Sequence, residues 1–142
     1  MTAAGSCVVV AALLVAGGCA GGGGDTRETH FRLVVADKNI RPEGVECAGA
    51  RPFQHVHADA RYQIVAGDGG VVAEGTLPAG HAENAEPEID WEVERIPTFC
   101  VVDFEVDLPQ RPRYRLRLDR GRPLEFTAPP RASDEPIVLV IG

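Results

Sequence analysis

Eleven prolines are scattered through the chain, from Pro42 to Pro136, and no long helix can run through that spacing. The segments between them alternate apolar and polar residues with period two, the pattern of a half-buried strand. It predicts strands at His30–Ala36, Asp59–Ala66, Val71–Leu77, Glu88–Glu94, Cys100–Leu108, Arg113–Leu118, Leu124–Thr127 and Ile137–Ile141. Gly67-Asp68-Gly69-Gly70 between the second and third supplies the positive φ angles of a hairpin turn. Many short strands separated by Gly/Pro turns predict one all-β domain, a sandwich or small barrel.

The first 24 residues obey a different rule, for none of them carries charge. Val8 to Ala16 is an unbroken apolar run, followed by Gly17-Gly18-Cys19. An apolar segment of this length that ends in small residues reads as a secretory leader. Ala16-Gly17-Gly18-Cys19 resembles the lipobox of bacterial lipoproteins, which implies cleavage before Cys19 and lipid on its thiol. The match departs from the usual pattern at Ala16, where leucine is commoner, and in lacking a Lys or Arg ahead of the run. An unlipidated signal peptide and an uncleaved membrane helix are the alternatives, although a span of about 20 apolar residues is reached here only by counting seven glycines. The reading divides the chain into a signal peptide (1–18), a lipidated Cys19 with a flexible tether (19–28), and a β-domain (29–142). Glycines 21–24 are the flexible part of the tether.

Composition limits the partners. The net charge of −7 argues against nucleic acid, whose phosphates demand a concentrated positive field. It also argues against electrostatic docking on anionic lipid, so membrane attachment is expected through the acyl chains on Cys19. Of the cysteines at 7, 19, 47 and 100, the first leaves with the leader and the second takes lipid. Cys47 and Cys100 then remain in an oxidising compartment, where a disulfide is expected; a free buried thiol or a metal thiolate pair fits that compartment less well.

From Cys47 onward the features run Tyr62-x-Ile64-x-Ala66-x-Asp68-x-Gly70-Val71-Val72-Ala73-x-Gly75-x-Leu77, then Cys100-x-x-x-Phe104-x-Val106-x-Leu108-Pro109, then Tyr114-x-Leu116-x-Leu118. This resembles a group of uncharacterised lipoproteins and secreted domains, common in actinobacteria, with one disulfide across a compact β-sandwich. Thirteen Arg against one Lys agrees with the GC-rich genomes of such bacteria. The resemblance covers about residues 45–142 and implies an immunoglobulin- or prealbumin-like sandwich of about seven or eight strands. It transfers no functional residue beyond the two cysteines, and Gly80 to Pro97 reads as an insertion relative to it.

Charge patterning offers the remaining candidates. Asp103, Glu105 and Asp107 occupy one face of their strand, and Arg113, Arg115 and Arg117 one face of the next. A hairpin whose paired residue numbers sum to 220 would set Asp107, Glu105 and Asp103 against those arginines, and Phe104 and Val106 against Leu116 and Tyr114. A slip of one residue would bury charge. The alternative is an arginine stripe that binds an anion, cell-wall phosphate or a lipid headgroup. Asp90, Glu92 and Glu94 alternate with Ile89, Trp91 and Val93, so the acidic run reads as the wet face of a strand rather than as a calcium loop, with Trp91 in the core. His55 and His57, joined conceivably by Asp59 and His81, are the only candidate metal donors weighed. Catalysis finds no residue set: Ser133, the only serine after the leader, has no nucleophile-elbow context, and a disulfide consumes both mature thiols.

The sequence therefore predicts a lipid-anchored, extracytoplasmic, non-enzymatic binding or accessory module of the envelope, without cofactor. The alternative is a small metal-binding lipoprotein that uses His55 and His57.

Overall fold

A computed structural model describes residues 24–130 and 133–142. Cys19, the leader and most of the tether lie outside the described residues. The described residues are all-β and form nine strands: β1 (Thr26–Pro42), β2 (Glu46–Cys47), β3 (Arg61–Ala66), β4 (Val71–Thr76), β5 (Gly80–Asn84), β6 (Arg95–Pro109), β7 (Tyr114–Leu118), β8 (Leu124–Phe126) and β9 (Ile137–Ile141). They make a five-stranded sheet, β2-β5-β6-β1-β9, and a four-stranded sheet, β4-β3-β7-β8. β1 starts at Thr26, inside the stretch read as tether.

Alternation explains how the sheets meet. Phe31, Leu33 and Val35 of β1 and Cys100, Val102, Val106 and Leu108 of β6 face inward, toward Tyr62 and Ile64 of β3 and Tyr114 and Leu116 of β7. Aromatic rings join the two layers: Phe31 stacks on Phe104 at 5.1 Å and meets Phe126 edge-on at 5.2 Å, and Tyr62 lies 5.1 Å from Phe104. Such pairs add about 0.5–1.5 kcal/mol each beyond area burial. Gly75 is small for a reason. A Cβ there would stand 2.8 Å from the Tyr62 hydroxyl, so the cross-strand glycine makes room for the ring.

The disulfide forms as expected, with Cα atoms 5.8 Å apart. It ties the edge strand β2 to β6, and Gly80 on β5 lies between them. A Cβ on Gly80 would come within 2.8 Å of the Cys100 sulfur. Across a sequence separation of 53, the loop-entropy model assigns the bond about 4 kcal/mol.

Three expectations are corrected. First, β6 does not pair with β7. It pairs antiparallel with β1, Phe104 opposite Phe31 and Asp103 opposite Arg32, whereas β7 pairs with β3 and β8 in the other sheet. The connection Gln110-Arg111-Pro112-Arg113 crosses between sheets instead of turning back. Tyr114 fixes this crossing: its hydroxyl donates to the Pro109 carbonyl and accepts from the Arg111 amide at 2.7 Å. Second, Glu88–Glu94 is a loop; the like charges of Glu88, Asp90, Glu92 and Glu94 oppose strand pairing at that edge. Trp91, expected in the core, is half-buried, with its indole nitrogen buried and unpaired. Third, Gly80–Pro97 is not wholly an insertion, because β5 within it completes the five-stranded sheet.

The outer half of β1 carries a buried charge cluster that sequence reading missed. A bulge between Val35 and Asn39, with Lys38 at φ 47°, folds Asp37 back onto Arg41. The Arg41 guanidinium donates to Asp37 at 2.7 Å, to Thr98 Oγ1 at 3.1 Å and to the Ala48 carbonyl at 2.9 Å, and the Ala50 amide adds a bond to Asp37 at 2.8 Å. Burial alone would push the Asp37 carboxyl up, but these donors hold it below its usual value. The cluster thereby pins the loop that follows Cys47.

Candidate functional site

Each sheet turns its second face to solvent, and the two faces handle charge differently. On the five-stranded sheet, register sets Arg32 opposite Asp103 and His30 opposite Glu105, while β5 adds His81 and Glu83. Arg32 bonds Asp103 at 3.2 Å and also bonds Glu83. His81 Nε2 lies 2.9 Å from Glu83 and 3.8 Å from Asp103. Burial pushes the Glu83 carboxyl up, and hydrogen bonds from Arg32 and His81 more than reverse it, leaving it below the usual range. Hydrogen bonding to Glu83, with Asp103 beside it, raises the Arg32 guanidinium in turn. Of the acids predicted to face β7, Asp103 and Glu105 are thus engaged by β1, whereas Asp107 stands opposite Glu28. The same alternation serves both partners, which is why it could not distinguish them.

Beside this network His30 lies 3.0 Å from Glu105 and 3.8 Å from Glu28. These three are the only group of three or more metal-type donors whose atoms converge among the described residues. All three are exposed, and an imidazole already held by a carboxylate accounts for their geometry as an ion pair. The histidines weighed from sequence do not join them. His55 packs on Gly121, where a Cβ would meet its Nε2 at 2.9 Å. His57 is exposed, and its Nδ1 donates to the Ala58 carbonyl at 2.7 Å. Their segment is a series of turns rather than a strand, so the extended spacing that would have placed them together is not realised. His81 sits on the other side of the argument, bonded to Glu83.

The four-stranded sheet faces outward with Arg115 and Arg117 of β7, Arg61 of β3 and, just before β7, Arg113. Glu125 stands opposite Arg115, and Glu74 opposite Gln63. None of the four guanidiniums has an ion-pair or hydrogen-bond partner among the described residues. Glu74 instead accepts from Gln63 at 3.4 Å. Two open grooves cross this face. One, of about 620 Å³, runs between Arg61 and Arg117; the other, of about 570 Å³, lies beside Arg113 and Arg115. Arg113, Arg115 and Arg117 were expected opposite the acids of β6. With β6 in the opposite sheet, their charge is directed at solvent.

Comparison with protein-family models, with curated proteins and with solved structures finds no match to this chain.

Proposed function

We propose that this chain is a lipid-anchored, extracytoplasmic, non-enzymatic binding or accessory module of the cell envelope, built on an immunoglobulin- or prealbumin-like sandwich. The observation that carries the location is the Cys47–Cys100 bond inside the packed domain, since such bonds persist in oxidising compartments. The Tyr114 hydroxyl, bonded to backbone five residues upstream, supports the sandwich type, because Greek-key sandwiches pin a crossing in this way. Two broad charged faces on a filled core suit surface recognition better than chemistry in an enclosed pocket. Metal binding through His55 and His57 draws no support from their placement.

Fractionation tests the reading. The wild-type protein should partition with membranes and release into detergent, while Cys19→Ala should leave the membrane fraction with its leader uncut. A variant that fractionates and migrates like wild type would refute the lipid anchor. Free thiols at Cys47 and Cys100, found by non-reducing mass spectrometry of the exported protein, would refute the compartment.

A further inference from the structure

The structure assigns the outer face of the four-stranded sheet to an extended phosphodiester polyanion, with Arg113, Arg115, Arg117 and Arg61 as its ligands. The inference deepens the binding-module reading and rests on it. Its first warrant is unspent charge. Four arginines against Glu74, Asp119 and Glu125 leave this face positive on a chain whose total charge is −7, and among the described residues none of the three acids is paired with them. On the opposite sheet Arg32 is engaged by two acids. Like charges held side by side repel, and a fold with so many carboxylates had partners to offer.

The second warrant is spacing. Arg115 and Arg117 alternate along β7, so their guanidiniums project on one side about 6.7 Å apart, and Arg113 stands just before the strand at the same groove as Arg115. A chain that joins phosphates through short polyol units presents charges at comparable intervals, always ionised and each suited to the two-pronged guanidinium donor. The grooves beside Arg117 and beside Arg113 extend the stripe at both ends and admit a chain.

Other anions fit the face less well. A bilayer surface is met by interfacial aromatics as well as by basic residues, and this face presents no aromatic ring to solvent. Single-stranded nucleic acid wants aromatic platforms for its bases; the aromatic rings of this sheet, Tyr62, Tyr114 and Phe126, are turned into the core. A phosphate polymer without bases needs only the arginines.

The test uses the full-length chain carrying Cys19→Ala, so that no acyl group contributes, and fluorescently labelled poly(glycerol phosphate) followed by anisotropy. Binding is expected at low salt, with log K falling against log[salt] at a slope of about −2 for three neutralised phosphates at about 0.7 each. Combined Arg113→Gln, Arg115→Gln and Arg117→Gln should weaken it at least tenfold, with far-UV circular dichroism and melting temperature retained. Exchanging Arg51 and Arg95, exposed elsewhere, for Gln should leave it unchanged. The assignment is overturned if the polymer does not bind, or if the triple variant binds like wild type. It is also overturned if phosphatidylglycerol vesicles or inorganic phosphate compete as well as unlabelled polymer at equal phosphate. None of these outcomes touches the membrane fractionation of the wild-type chain, so the anchored-module reading stands or falls separately.

Discussion

The five-stranded sheet closes its charges into pairs, whereas the four-stranded sheet leaves its arginines open. On the first, Asp37–Arg41 is sealed beneath the surface and Arg32–Glu83–Asp103 is woven across three strands. On the second, Arg61, Arg113, Arg115 and Arg117 stand unpartnered. Closed pairs serve the fold, because each fixes a register or pins a loop. Open charges serve nothing inside the molecule, so their free energy is available to a ligand. The contrast predicts that the same kind of substitution, an arginine made neutral, has opposite consequences on the two sides.

Arg41→Ala should be the most damaging. The Asp37 side chain has no solvent exposure and that of Arg41 only 10%, and removing one partner of such a pair costs about 3–5 kcal/mol. Urea unfolding should show it as a lower midpoint with an unchanged slope. A loss under 1 kcal/mol would mean that the pair is not sealed.

The pH dependence sharpens the point. In the wild type Asp37 and Glu83 are held below their usual values, so their contribution is full above their unfolded pKa values and is lost as pH falls through the folded ones. In Arg41→Ala the guanidinium no longer donates to Asp37, and only the Ala50 and Asn39 amides still oppose its burial, so the carboxyl should titrate higher than in the wild type and that part of the slope should shrink. Urea midpoints from pH 7 to pH 3 for both proteins measure this; parallel curves would contradict it.

Arg32→Gln should cost less, about 0.5–1 kcal/mol, because its network is partly exposed. The Glu83 carboxyl, left with His81 as its partner, should move up from its wild-type position in this variant, which carboxyl NMR titration reads directly. The smallest stability effect belongs to the triple exchange of Arg113, Arg115 and Arg117 for Gln, expected within about 0.5 kcal/mol of wild type. A large destabilisation there would show that these arginines hold the fold after all.

Alternation made much of this molecule legible. Period-two runs located β3, β4 and β6 to β9, and the glycine turn at 67–70 is the β3–β4 hairpin, with Gly69 at φ 93°. The disulfide was expected because Cys47 and Cys100 are the two cysteines left once Cys7 and Cys19 are assigned to a leader and a lipid. Alternation specifies which residues share a face, but not which strand lies beside them. The acids of β6 are served equally well by Arg32 and His30 as by the β7 arginines, and the choice depended on a crossing fixed by Tyr114. The Asp37–Arg41 cluster was hidden because a bulge, not a period, brings the two together. Glu88–Glu94 misled for the converse reason: it alternates faultlessly, yet its carboxylates have no neighbouring strand to face. The open arginine stripe was visible from the start as a pattern, and only the topology showed that nothing inside answers it.

One feature of the five-stranded sheet bears on how the molecule is made. β1 is flanked by β6 and β9, with Phe31 against Phe104 on one side and Ile137 on the other, so both neighbours arrive some 70 to 100 residues later in the chain. Long loops must close before these contacts give any return, and folding dominated by such contacts is slow. β1 therefore cannot complete its pairing until β9 is present, and the first strand in the sequence is among the last to gain both its neighbours.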